Sequence, residues 1–576
     1  MKRIWKYLRE FKKYCVLAPL FKMLEATFEL FVPLVVASII DKGIGASDIN
    51  HILKMSLMLI ILAVIGLTVS ITAQYFSAKA AIGCATSMRH GLFSHIQSFS
   101  FSNIDECGVS TIITRMTSDI NQVQNGVNLT LRLFLRSPFI VFGAMIMAFT
   151  IDFKAALIFA VTIPLLALVV FGIMFTTRPL YIKVQAGLDK ILAMTRENMT
   201  GVRVIRAFNQ ENVEKEAFFV ANDDLTKLSK FTGKISALMN PMTYLIVNGA
   251  IIVLIYIGAV RVNSGSLSQG QVVALYNYMS QILVELIKLA NLIINITKAL
   301  ASAKRIDDMF NVESDMQEGS IEAMKPADED NAVEFNHVSL RYKGGGDEAI
   351  SDINFVVKAG QIIGVIGGTG SGKSSLVNLI PRYYDISSGQ LKIFGQDVED
   401  YSYKCLRDNV VTVLQKARLF KGSIRENLLM AQPDASEADM WEALEVSQSK
   451  EFVEKKAKGL DEFVEQGGKN LSGGQRQRLT IARAVIKKPR ILILDDSSSA
   501  LDYATDAALR KAIKNMEEAP TLFIVSQRAA SLMHADQIIV LDDGHMVGLG
   551  SHEDLLASCK EYQEIYYSQF RKEERA

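Results

Sequence analysis

The sequence predicts an N-terminal all-α membrane domain of six transmembrane helices, residues 1–300, followed by a linker, 301–332, and a C-terminal α/β phosphate-loop domain, 333–576. Three observations predict this. Six apolar runs long enough to cross ~30 Å of hydrocarbon, about 20 helical residues each, lie in the first half and none in the second. Beyond residue 333, short β-branched runs alternate with helical stretches, as expected for strands covered on both faces. One of those runs leads directly into a glycine-rich phosphate-binding pattern.

The expected spans are 14–40, 52–78, 134–152, 155–177, 242–262 and 270–297. Runs such as Leu57-Met58-Leu59-Ile60-Ile61-Leu62 are too evenly apolar for a half-exposed soluble helix, and Pro33 and Pro164 are tolerable there as kinks. The opening stretch carries Lys2, Arg3, Lys6, Arg9, Lys12 and Lys13, while the short loops at 41–51, 152–154 and 263–270 hold only Lys42 and Lys154. Basic residues stay on the cytosolic side, so both ends are expected there, in the cytoplasmic membrane. Ile4, Trp5, Leu8 and Phe11 recur at helical spacing among the charges, which predicts an amphipathic elbow along the inner membrane surface. The apolar run that follows is too long for a cleavable signal peptide. Polar helical stretches at 79–133 and 178–241 are expected to project into the cytosol.

Composition narrows the function class. The 62 basic and 61 acidic residues give a net charge of +1, without the positive field of a nucleic-acid binder. A content of 49% hydrophobic with 21% charged residues fits a chain that is part membrane and part aqueous. Five scattered cysteines without C-x-x-C spacing read as ordinary thiols in a reducing compartment. The seven histidines form no metal constellation.

The chemistry lies in the second half. Gly367-Gly368-Thr369-Gly370-Ser371-Gly372-Lys373-Ser374 follows the run Ile362-Ile363-Gly364-Val365-Ile366 and precedes the helical Ser375-Leu376-Val377. The glycines free backbone N–H groups to face phosphates, Lys373 reaches the β/γ oxygens and Ser374 can hold Mg²⁺. The run Ile491-Leu492-Ile493-Leu494 ends in Asp495, a carboxylate at the carboxyl end of a strand and a second Mg²⁺ ligand by position. Just upstream, Leu471-Ser472-Gly473-Gly474-Gln475 opens a helix and forms a second anion cradle.

With these motifs on six spans, the whole chain resembles a half-transporter of the ATP-binding cassette (ABC) exporter family. The resemblance implies that Ser472, Gly473, Gly474 and Gln475 serve ATP bound to the other cassette of a head-to-tail pair. It also implies that Tyr342 stacks on adenine, that Gly367 to Ser375 hold the phosphates, and that Gln415 joins Mg²⁺ to the membrane domain. Ser499-Ala500-Leu501-Asp502 resembles the loop crossing to the partner site, and 101–119 and 198–218 resemble the cytosolic loops that touch the cassettes.

Two positions depart from the family pattern. Asp496 stands where a water-orienting Glu is usual and Gln527 where a switch His is usual. The aspartate oxygens sit about 1.5 Å further back, one C–C bond, and a misplacement of ~1 Å costs on the order of 10²-fold. The glutamine amide hydrogen-bonds a phosphate but never becomes a cation. The expectation is a site that binds Mg·ATP and hydrolyses it slowly, in a heterodimer with a second half-transporter that carries the Glu and the His. A homodimer with two slow sites and a nucleotide-gated regulatory subunit are the alternatives. The cargo is expected to be a small amphipathic or hydrophobic compound. Lys22, Glu25, Glu29, Glu285 and Lys288 read either as a polar patch lining its path or as mutual pairs between helices.

Overall fold

The computed structural model describes residues 2–324, 331–497 and 501–570, and divides into two compact units. One comprises residues 1–97 and 110–312, the other 98–109 and 313–576.

The first unit is helical throughout. A short helix, Lys2–Arg9, precedes six segments long and apolar enough to cross a membrane: Lys12–Ile44, Ile49–Gln97, Val109–Ile151, Phe153–Thr200, Glu211–Asn263 and Gln269–Phe310. Ile49–Gln97, Phe153–Thr200 and Gln269–Phe310 each run more than 40 residues as a single helix, because polar stretches continue the apolar ones without a break. Small residues let the helices approach closely, as expected where lipid offers no hydrophobic drive between them. Gly126 sits against the Ala299 Cβ with no room for a Cβ of its own, and Gly143 faces the end of the Leu30 side chain. Ala144, Ala148, Ala155 and Ala156 form the packed interior with Phe159, Leu275 and Tyr278. The Tyr278 hydroxyl, buried in apolar surroundings, donates to the Leu30 carbonyl at 2.6 Å. Leu57, Leu67, Val161 and Leu168 point outward as an apolar skin.

The charges within these segments pair with one another. Lys22 Nζ donates to Glu25 at 2.5 Å and Ser70 at 3.1 Å. Arg136, which sequence reasoning did not single out, bridges three helices: it donates to Glu285 and to Glu29, each at 2.7 Å. Ser137 and Lys288 complete the shell of Glu285 at 2.7 and 2.8 Å. Among the five charges singled out in the sequence, Lys22–Glu25 and Glu285–Lys288 pair within one helix each, and the bonds between helices run from Glu29 and Glu285 to Arg136.

In the second unit the β-branched runs become a six-stranded sheet in the order β12-β11-β3-β10-β9-β6. Its strands are β3 (Ile362–Gly367), β6 (Val410–Val413), β9 (Ile491–Asp495), β10 (Thr521–Val525), β11 (Gln537–Asp542) and β12 (His545–Gly550). All neighbours are parallel except β11 with β12. A second, antiparallel sheet, β2-β1-β4-β5, is formed by β1 (Asn331–Leu340), β2 (Ile350–Lys358), β4 (Ser388–Ile393) and β5 (Gln396–Asp397). A two-stranded ribbon joins β7 (Gly422–Ser423) to β8 (Phe463–Val464). β9 and β10 are wholly buried, with apolar clusters on both sheet faces, which is why they read as continuous apolar runs. The segment 98–109 packs within this unit. Phe101 lies 4.5 Å from Tyr383, Tyr384 donates to Asp105 at 2.6 Å, and Ser100 donates to Asp315 at 2.6 Å.

Candidate functional site

Parallel pairing aligns the carboxyl ends of three central strands. Val525 of β10 sits opposite both Asp495 of β9 and Val365 of β3, so the residues that follow each strand meet at one edge. That edge is where an open α/β sheet binds its ligand. It holds a cleft of about 280 Å³ lined by Thr369, Gly370, Gly372, Lys373, Ser374 and Ser375 from the loop after β3, Asp495 and Asp496 after β9, Gln527 after β10, and Gln415 after β6.

The loop shape depends on glycine at two places. Gly370 has φ +85° and faces open space. Gly372 has φ +93°, and a Cβ there would lie 2.7 Å from the Ala349 carbonyl oxygen, so no other residue fits. Gly372 then opens the helix Lys373–Leu379, whose first three residues line the cleft. Lys373 Nζ donates to the carbonyls of Gly367 at 3.0 Å and Gly368 at 2.5 Å. Burial pushes its ammonium below the usual lysine range, while Asp495 and Asp496 pull the other way. A phosphate is the group that satisfies such a half-buried cation.

Ser374 Oγ donates to Asp495 Oδ1 at 3.1 Å, and burial pushes the Asp495 carboxyl above the usual aspartate range. A desolvated carboxylate beside a hydroxyl and a carboxamide, all oxygen donors, fits a hard divalent cation such as Mg²⁺. Gln415 Nε2 donates to Asp496 Oδ2 at 3.2 Å. Asp496 itself has φ +45°, a region aspartate tolerates better than most residues, and its N–H is held by the Val525 carbonyl at 3.0 Å. Tyr342 is not among the residues lining the cleft; it donates to Ser375, which is, at 3.0 Å, and meets Tyr384 edge-on at 4.9 Å.

The other expected anion cradle lies elsewhere in the unit. Ser472 caps the helix Gly473–Val485 through a reciprocal pair with Gln475: its hydroxyl accepts from the Gln475 amide at 3.3 Å, and Gln475 Oε1 accepts from its amide at 3.1 Å. Ser472 and Gly473 are exposed, with open space above Gly473. None of Ser472, Gly473, Gly474 or Gln475 is among the residues lining the cleft. Of the expected crossing loop, Ser499 and Ala500 lie outside the described residues; Asp502 caps the helix Tyr503–Lys514. The helix Val202–Ala207, within the expected second cytosolic loop, buries none of its residues.

Comparison with known proteins gives this geometry its context. Residues 15–286 match the ABC transporter transmembrane region and residues 350–499 the ABC transporter domain. The chain is 34% identical over 574 residues to the uncharacterized ABC transporter ATP-binding protein YfiB of Bacillus subtilis (strain 168), covering 100% of this chain and 99% of that one. It is 26% identical to an ATP-dependent lipid A-core flippase of Vibrio vulnificus (strain CMCP6), over 99% of this chain and 97% of that one. A bacterial Atm1-family ABC exporter with ATP bound shares the fold at a TM-score of 0.78 and 20% identity, over 97% of this chain and 98% of that one. The cassette therefore binds ATP, and the chain belongs to the ABC transporter family as an exporter half-transporter, six membrane-spanning segments and one ATP-binding cassette on a single polypeptide.

Proposed function

We propose that this chain is one half of a heterodimeric exporter of the cytoplasmic membrane, with both termini cytosolic, that moves a small amphipathic or hydrophobic compound outward. Its own site binds Mg·ATP and hydrolyses it slowly, and its signature residues complete the competent site on a partner half-transporter. The observation that carries this reading is the composition of the cleft. Lys373, Ser374 and Asp495, which this reading assigns to the phosphates and the cation, line one cleft with Asp496, bonded to Gln415, and Gln527, which it assigns to the water.

In this reading Tyr342 stacks on the adenine ring, Lys373 and the loop amides bind the phosphate oxygens, and Ser374, Asp495 and Gln415 hold the cation. Mg²⁺, when bound, neutralises charge between the β- and γ-phosphates. Asp496 holds a water further from the γ-phosphorus than a glutamate would, because its side chain is one methylene shorter. Gln527 donates to the γ-phosphate without adding a positive charge. The exposed Ser472 and Gly473 at a helix N-terminus suit ATP presented by another cassette, because a ligand in this chain's own cleft does not reach them. ATP held between two cassettes favours their closure, and reversing a 1:99 equilibrium takes ~5.5 kcal/mol of differential affinity, within reach of several charge-assisted contacts. An amphipathic cargo is supported by the relative named as a lipid A-core flippase.

The test is the composition of the complex recovered from native membranes through this chain. An equimolar second half-transporter with Glu and His at the two altered positions is expected; a complex of this chain alone that transports contradicts the proposal.

A further inference from the structure

The segment that carries Gln527 is held from two sides. On one side the helix Tyr503–Lys514 supplies Tyr503, with the Arg528 guanidinium 5.6 Å from its ring centre, and Asp506, which accepts from the Ser531 hydroxyl at 3.2 Å. Arg510 of the same helix donates to the Ser531 carbonyl. On the other side stands Gln569, at the end of the helix Lys560–Gln569. Its Nε2 donates to the Gln527 carbonyl at 2.7 Å, and its Oε1 accepts from the Ala529 amide at 2.9 Å. One side-chain amide thus engages a C=O and an N–H two residues apart, as a neighbouring strand would.

That helix does not need Gln569 to stay in place. Tyr562 is fully buried, with its hydroxyl 2.7 Å from His552 Nδ1, and Tyr566 stacks on Phe570 at 4.6 Å against the apolar cluster of the sheet. The amide at its end is therefore free to set the position of the segment it grips. A glutamine side chain has three rotatable bonds, so where the Gln527 carboxamide points depends on how firmly its backbone is fixed.

We propose that Gln569 is a positioning residue for Gln527: by clamping the Gln527 carbonyl and the Ala529 amide, it holds the Gln527 carboxamide against the γ-phosphate of ATP bound at this chain's own site. This deepens the proposed function and rests on its assignment of Gln527 to the γ-phosphate. Because only the triphosphate has that group, the clamp contributes to discrimination between ATP and ADP and not to nucleotide binding in general.

The experiment measures the affinities of AMP-PNP and ADP, with Mg²⁺, for the full-length purified protein and three variants. Gln569→Met keeps the apolar stem and removes both hydrogen bonds; Gln569→Ala removes the side chain; Gln527→Ala removes the γ-phosphate donor directly. Both Gln569 variants are expected to lower the AMP-PNP to ADP affinity ratio by about three- to tenfold, part of the value of a charge-assisted hydrogen bond, with ADP affinity unchanged. Gln527→Ala is expected to lower the ratio at least as far, and adding Gln569→Met to it to change nothing more. A wild-type ratio in Gln569→Met, with a lowered one in Gln527→Ala, overturns the clamp and leaves the assignment of Gln527 standing. A parallel fall in ADP affinity also overturns it, since that is the mark of a general packing role. A wild-type ratio in Gln527→Ala overturns the assignment of Gln527, and the clamp with it.

Discussion

Replacing Arg136 by Met removes the cation that joins three membrane helices while keeping an unbranched apolar side chain. Glu29, Arg136 and Glu285 each lie about 15 residues from the Ile44, Ile151 and Gln269 ends of their segments, roughly 22 Å along the helices, at one level of the helical unit. Arg136 and Glu285 are buried to 8% and 4% side-chain exposure, whereas Glu29 and Lys288 are each more than 40% exposed. Removing one member of a buried pair costs about 3–5 kcal/mol because the other charge is left uncompensated. Lys288 and Ser137 still hold Glu285, which places the loss near the lower end, about 3 kcal/mol. At about 2 °C per kcal/mol for a unit of this size, the midpoint of thermal loss of the monodisperse species in detergent falls by roughly 6 °C. Adding Glu285→Gln removes the stranded carboxylate and recovers at least half of that fall. A shift under about 1 °C for Arg136→Met, or a double variant no better than the single one, refutes the view that this network bears on the packing of the spans.

Three more outcomes follow from the cassette. Tyr342→Ala weakens ATP binding by about ten- to a hundredfold, the value of ~1–3 kcal/mol for a base on an aromatic ring, whereas Tyr342→Phe loses only the bond to Ser375; titration with a fluorescent nucleotide separates them. Burial raises the Asp495 carboxyl, so its contribution to the stability of the nucleotide-free cassette is present in acid and is lost as pH rises through that raised value. In the proposed reading the same carboxyl holds the cation and must be ionised to do so, so Mg²⁺-dependent ATP affinity is expected to fall on acidification at a higher pH than an exposed aspartate gives, and Asp495→Asn to remove that contribution. Tyr384→Phe, which loses the bond to Asp105, speeds hydrogen exchange of the 101–107 amides by about fivefold, the value of roughly 1 kcal/mol for an exposed hydrogen bond.

The phosphate loop, Asp495 and the signature were legible in the sequence because each is a contiguous pattern whose chemistry is local. The strands β3, β9, β10 and β11 were legible because burial on both faces makes them uninterrupted apolar runs. The antiparallel sheet was not. β2 alternates buried and exposed residues from Ile353 to Lys358, but its exposed Val356 lies between the buried Phe355 and Val357 and hides that alternation in the sequence, while β1 shifts register against its neighbours. Arg136 escaped notice because a lone arginine at the start of an apolar run reads as an interfacial residue, and its carboxylate partners come from helices more than 100 residues away on either side. Gln569 carries no sequence signal at all, since its role arises only when its helix packs beside a segment 40 residues upstream. Lys22, Glu25, Glu29, Glu285 and Lys288 were visible as charges in apolar runs, and the spacing of Lys22–Glu25 and Glu285–Lys288 suits pairs on one helix face, but the bonds of Glu29 and Glu285 to Arg136 depend on helix packing that a linear pattern does not encode.

The most direct measurement is steady-state ATP turnover by this protein purified without any partner, where both composite sites contain Asp496 and Gln527. The account predicts slow turnover that rises on the order of 10²-fold when Asp496→Glu and Gln527→His are introduced together. Rapid turnover by the unaltered protein, abolished by Lys373→Ala and indifferent to Asp496→Asn, contradicts it.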